Sequence, residues 1–155
     1  MKKVSHDYKL LIISIASPIQ LGIYKDNILI DSVQSDKKTS EILLPLIVDM
    51  LDKYSIKNIL YVRGPGSYMA IKLTYIILKT IKIIRDIDFY GCDGFLFNNN
   101  RPIKALGSLY FIKDNKNIIT KKFNNIEKID FILPLNLNSV TIDKDNRPLY
   151  ILPAV

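Results

Sequence analysis

The stretch Ile59-Leu60-Tyr61-Val62-Arg63-Gly64-Pro65-Gly66-Ser67-Tyr68, continued by the run Met69–Arg85, decides the fold. Its first five residues are apolar and rich in β-formers, as in a buried strand. Gly64-Pro65-Gly66 is the strongest break in the chain, with two permissive residues around a fixed φ. Ser67 is placed to cap a helix, and apolar residues recur at helical spacing from Ala70 to Ile84. Strand, glycine turn and helix N-terminus can hold a phosphate. The same arrangement is also an ordinary way to turn a corner. Gly-Pro-Gly-Ser lacks the Lys-Ser/Thr of a Walker loop, so the turn Gly64, Pro65, Gly66, Ser67 reads as structural.

Working outward, Tyr8–Ala16 is a dense apolar run that fits a central strand. Ile19–Tyr24 and Ile28–Val33 read as a hairpin around Lys25-Asp26-Asn27. Thr39 or Ser40 can cap a helix reaching about Tyr54, although Pro45 would clash inside it unless the helix starts late or bends. After the second helix come a short strand, Asp88–Tyr90, and a helix or loop over Gly91–Phe97. Asn98-Asn99-Asn100 is the best internal boundary, which divides the chain into 1–97 and 98–155. Beyond it, Ile103–Ile112 and Ile118–Phe123 flank the hairpin turn Asp114–Asn117. Phe131–Leu133 reads as an edge strand stopped by Pro134, and the apolar tail Arg147–Pro153 is expected to dock on the body. The layout is mixed α/β.

The 155 residues fit one domain or two small lobes. The net charge of +7 invites a nucleic-acid partner. Yet Lys, Ile and Asn are abundant together, as an A/T-rich genome would make them, and the cations are scattered along the chain. One cysteine, Cys92, and one histidine, His6, exclude an intrachain disulfide and a zinc site. His6 sits in a charged leader and reads as solvated, while Cys92 reads as buried filler without a base to activate it. Met1-Lys2-Lys3 before Leu10–Ala16 only faintly resembles a signal peptide, and no run is long enough for a membrane helix, so the expected location is cytoplasmic. Asp7, Asp26, Asp36 and Asp114 fall in linkers or turns, Asp86 and Asp88 follow a helix, and no acid lies on the first strand. No catalytic, cofactor-binding or metal-binding residue is expected.

On a helical wheel, Ala70, Leu73, Ile77, Ile81 and Ile84 share one face of Met69–Arg85, with Met69, Ile76 and Ile83 extending it. That face is expected to be the core side. Ile71, Tyr75 and Leu78 fall among Lys72, Lys79, Lys82 and Arg85, an apolar stripe with no role in a monomer. Leu44 and Val48 similarly widen the first helix's apolar face. The expected partner interface is therefore Leu44, Val48, Ile71, Lys72, Tyr75, Leu78 and Lys79, with the two lysines at its rim. The competing reading is that the second lobe or the tail covers the stripe.

Two motifs at this separation resemble the TsaB (YeaZ) family. Ser40-Glu41-Ile42-Leu43-Leu44-Pro45-Leu46-Ile47 is similar to the family's His-Ser-Glu-x-Leu-Leu-Pro-Leu-Ile, with Thr39 in the His position. Gly64-Pro65-Gly66-Ser67 followed by Tyr68-Met69-Ala70-Ile71-Lys72 is similar to Gly-Pro-Gly-Ser-Phe-Thr-Gly-Leu-Arg, and Pro148-Leu149-Tyr150-Ile151-Leu152 to a closing Pro-x-Tyr-Leu-Arg. The resemblance spans about residues 9–113 and the tail. It implies the actin-like, sugar-kinase-like (ASKHA) fold, here with a strongly reduced second lobe. It also implies a non-catalytic partner of a TsaD-like subunit in tRNA N6-threonylcarbamoyladenosine modification, joined by a TsaE-like ATPase. The same two helices would serve TsaD docking and a homodimer. tRNA would be met only through the complex, and a nucleotide could sit at the partner interface. The chain departs from the family at Ser14-Ile15-Ala16, where members carry Asp-Thr-Ser, and at Ala70, where they carry Gly. The alternatives are an actin-like nucleotide hydrolase or kinase and a stand-alone RNA-binding protein. The first needs a carboxylate to position Mg²⁺, and the second needs a compact basic patch.

Overall fold

The computed structural model describes residues 7–127 and 130–151; His6 and the end of the tail, Leu152 and Pro153, lie outside them. Strand β1 (Tyr8–Ile13) is the axis of a five-stranded sheet, with Leu10, Leu11, Ile12 and Ile13 fully buried. A strand covered on both faces has no polar side to alternate with, which explains the unbroken apolar run. It pairs antiparallel with β2 (Ile19–Lys25) and parallel with β4 (Ile56–Gly64). The full order is β3-β2-β1-β4-β5, with β3 at Ile28–Ser35 and β5 at Asp88–Asp93. The β2–β3 turn holds Asp26 and Asn27 at φ of 51° and 66°, the paired positive values that the tightest hairpins need.

Helices α1 (Thr39–Lys53) and α2 (Tyr68–Arg85) cover one face. Leu43, Ile47 and Met50 from α1 and Ile77, Leu78 and Ile81 from α2 pack with Leu10, Ile12, Leu21, Ile59 and Tyr61. The opposite face carries Leu11, Ile13, Ile15, Leu60 and Val62. It is covered by Phe95 and Phe97 of a short 3-10 turn, by a second sheet and by Phe131 and Leu137 of an extended segment. The second sheet runs β6-β7-β8, from Ile103–Leu106, Leu109–Asp114 and Asn117–Lys122.

Several elements depart from expectation. β1 stops at Ile13, and α1 begins at Thr39 with Lys38 at the cap position, so neither Thr39 nor Ser40 caps it. Pro45 is carried inside α1 on its exposed side. Ile103–Ile112 is two strands, turned at Gly107 with φ 57°. Phe131–Leu133 forms no strand; its backbone is held instead by Gln20 Nε2 donating to the Phe131 carbonyl and by Ile132 N–H donating to the Phe97 carbonyl. Residues 146–149 lie against β4. Leu149 N–H donates to the Arg63 carbonyl at 2.7 Å, Arg63 Nε donates back to the Arg147 carbonyl, and Tyr61 donates to the carbonyl of Asn146.

One polar contact ties α2 to the sheet. Ser14 and Thr74 are both buried, with their hydroxyl oxygens 2.7 Å apart. Thr74 directs its own proton to the Ala70 carbonyl, so Ser14 is the donor. Thr74→Val should therefore cost about 1–3 kcal/mol, because it leaves the Ser14 hydroxyl buried without an acceptor. Adding Ser14→Ala should restore most of that loss in a denaturant melt. A double variant as unstable as the sum of the two single losses would show that the hydroxyl pair has no coupling.

Candidate functional site

Two regions of the sequence were expected to matter, the β4–α2 turn and the outer surface of the helices. The turn is a site of close backbone approach. Gly64 has φ 135° and Gly66 φ 159°, a region side chains rarely adopt. A Cβ on Gly64 would stand 2.6 Å from the carbonyl oxygen of Leu149, and one on Gly66 2.7 Å from Cβ of Ile15. Ser67 N–H donates to the Ile15 carbonyl at 3.4 Å, and the Ser67 hydroxyl accepts from Ala70 N–H at 3.5 Å, a long capping bond. The turn is thus wedged between the end of β1 and the tail.

Beside it lies a cleft of about 810 Å³ at the carboxyl ends of β1 and β4. The chain order reverses there, between β1 and β4, which is where open α/β sheets place ligands. Ile15, Ser17, Gly66 and Tyr68 form one wall, and Ile103, Tyr110 and Phe111 contribute another. The carboxylates on its border, Glu127 and Asp130, come from the segment after β8 rather than from β1. Leu10, Ile12 and Ser14 alternate toward the helices, so Ser14 faces Thr74 and away from this cleft. Among the described residues, no group of three His, Cys, Asp or Glu is placed to hold a metal ion.

The helix surface needs correction. Ile71 and Leu78 are fully buried, and Tyr75 is partly buried against Phe89 at a ring distance of 5.9 Å. The stripe expected on the surface is therefore core. Ile84, expected on the core face, and Met69, Ile76 and Ile83, expected to extend it, are exposed instead, Met69 and Ile83 at 81%. The buried face is Ala70, Ile71, Thr74, Ile77, Leu78 and Ile81. α2 is apolar almost all round, so the wheel alone does not fix its rotation; Thr74, polar but paired with Ser14, is the residue that locates the core side. Leu44 and Val48 are exposed as expected, as are Lys72 and Lys79, and Lys79 Nζ sits 5.8 Å from the Tyr75 ring centre. Asp145 is held down to about 2 by its bonds from Arg147, in a shallow groove bordered by Lys72 and Tyr150. Cys92 is buried, and burial, aided by Asp143 and Asp93, pushes its thiol up to about 12.

Two outcomes follow from this geometry. Gly66→Val should lower stability by about 1–3 kcal/mol, because the new Cβ meets Cβ of Ile15, a main-chain-anchored atom that cannot swing away. A thermal melt matching the parent protein would remove the close approach from the account. At neutral pH the native chain should leave Cys92 unlabelled by a disulfide reagent until denaturant is added, since only a thiolate attacks; rapid native labelling would contradict the burial.

Comparison with known proteins adds the fold. No family model matches the sequence, and no curated protein matches it. Solved structures do, and two of them illustrate the likeness. One is YeaZ from Pseudomonas aeruginosa, at 11% identity and TM-score 0.58, over 88% of this chain and 67% of that one. The other is an uncharacterized protein described as similar to peptidase YeaZ from Pseudomonas aeruginosa, at 11% identity and TM-score 0.58, over 86% and 72%. The chain therefore has the mixed α/β, actin-like fold seen in YeaZ.

Proposed function

We propose that this chain is a non-catalytic scaffold subunit that docks a TsaD-like partner for threonylcarbamoyl transfer to the adenosine beside the tRNA anticodon. In this reading residues 98–155 are a reduced second lobe, the protein is cytoplasmic, and a TsaE-like ATPase joins through the complex. The observation that carries the proposal is the exposed row Met69, Ile76, Ile83, at seven-residue spacing on α2 of a YeaZ-like fold. Such spacing keeps side chains on one stripe of a helix, and a stripe of this kind left in water marks a contact surface. Leu44 and Val48 add to it from α1, and Lys72 and Lys79 stand beside it on α2 as a polar rim. The same helices can serve a homodimer when the partner is absent. No helix among the described residues is long and apolar enough to cross a membrane.

The chemistry supports a scaffold over a peptidase or kinase. The one cysteine is buried as a neutral thiol, and the segment leaving β1 offers Ser14 to a helix instead of a carboxylate to the cleft. With MgATP the purified chain should show no hydrolysis above buffer; turnover on the order of 1 s⁻¹ that Ser67→Ala abolishes would replace the scaffold with an enzyme.

Docking is tested with Ile76→Glu combined with Ile83→Glu. The variant should keep its melting temperature and lose co-elution with a purified TsaD-like subunit and with itself. Ile71→Glu or Leu78→Glu, which buries an unpartnered charge, should instead unfold the chain. Unchanged co-elution of the Ile76/Ile83 variant would remove α2 from the interface.

A further inference from the structure

We infer that the face of the β6-β7-β8 sheet that carries Lys104, Tyr110 and Lys121, and that borders the cleft through the first two, binds single-stranded nucleic acid directly. The register places Lys104, Tyr110 and Lys121 in one cross-strand row, a ring with a cation on either side. Phe123 follows Lys121 beyond β8, with its ring 5.8 Å from that of Tyr110 at 86° and 5.6 Å from Lys121 Nζ. All four residues retain exposure, while Ile103 and Phe111 from the other face of the sheet are buried in the body. The two lysines are about 10 Å apart across three strands, close to the rise of three stacked nucleotides.

Charge favours the same ligand. Residues 101–123 contain six Lys and Arg and one acid, Asp114, a net +5 of the chain's +7. Lys113 is neutralised by Asp93, but Lys104, Lys116, Lys121 and Lys122 have no carboxylate partner among the described residues. Glu127 and Asp130 border the cleft together with Lys104 without pairing to it. Lysines on an edge strand also guard a sheet against pairing with another chain. That role requires no aromatic pair between them, whereas unpaired bases need rings to stack on and cations for their phosphates. A duplex hides its base faces and would gain nothing from Tyr110 and Phe123.

This inference stands apart from the docking of a protein partner, since it concerns a different surface and a purified chain. The test is fluorescence anisotropy of the full chain with a labelled oligouridine about 12 nucleotides long, a duplex of equal length, and vesicles containing anionic lipid. Expected is saturable binding to the oligouridine that weakens steeply between about 50 and 200 mM salt. Tyr110→Ala and Phe123→Ala should each weaken it roughly 5- to 100-fold, whereas Tyr110→Phe, which keeps the ring, should bind like the parent. Lys121→Gln should flatten the log–log salt slope by about 0.7, one phosphate contact on a single strand. Circular dichroism melts identify any variant that has lost its fold, and Lys121→Gln, at an exposed position, supplies a readout independent of the aromatic changes. The proposal is overturned by absent binding at low salt, by equal or tighter binding of the duplex or the vesicles, or by parent-like affinity in folded Tyr110→Ala and an unaltered slope in Lys121→Gln.

Discussion

The contact between Gly66 and Ile15 is the constraint on which the rest depends. β1 ends beneath the β4–α2 turn, and the turn can seat there only because no side chain projects from Gly66. From that seat α2 runs back across the sheet, with Thr74 nearly two turns in to meet Ser14 just beyond β1. The tail comes to the same point from the other direction, laying the Leu149 carbonyl against Gly64. β1, the β4–α2 connection and residues near 149 are remote in sequence, yet a pair of glycines lets them touch. Interiors packed to crystal-like density leave little room to relieve a misfit there.

The order of elements was legible because the physics that sets it is local. A strand buried on both faces must be apolar throughout, as Leu10–Ile13 is, and a two-residue hairpin needs residues that tolerate positive φ, as Asp26 and Asn27 do. The rotation of α2 was not legible. Twelve of its eighteen residues are apolar, or aromatic in the case of Tyr68 and Tyr75, on nearly every side of the helix, and the hydroxyl that fixes its inner face is recognisable only once Ser14 is known to lie opposite. The break at Gly107 was hidden for a related reason: Ile103–Ile112 is apolar on both sides of a glycine that serves as a corner. Sequence separation likewise concealed the gathering of cations on the second sheet, because Lys104 and Lys121 become neighbours of Tyr110 only through two antiparallel pairings.

The cleft at the strand ends keeps the position of a ligand site without a carboxylate from β1. Alternation along β1 decides this. Residues of one parity, Leu11, Ile13 and Ile15, face the cleft side and are aliphatic, while Ser14, the polar one, has the other parity and is used by α2. A carboxylate aimed from this strand toward the cleft would have to replace one of the aliphatic residues, at the cost of burying a charge in the cluster of Phe95, Phe97 and Phe111. The packing of the second sheet onto the first is thus bought with the polarity that phosphoryl chemistry would need.

The sheet also separates the two surfaces. Leu10 and Ile12 look toward α1 and α2, while Leu11 and Ile13 look toward β6-β7-β8. The exposed row on α2 and the ring-and-cation row on β6-β7-β8 therefore belong to elements that cover opposite faces of one layer, and they approach each other at the cleft, which Met69, Lys104 and Tyr110 line together. Ile76 and Ile83 lie one and two heptads further along α2 than Met69. Away from the Met69 end, any coupling between the two rows has to pass through the layer itself. The strands of that layer are closely packed and hydrogen-bonded on both sides of β1, an arrangement without a second packing to switch into, so the two faces should bind additively.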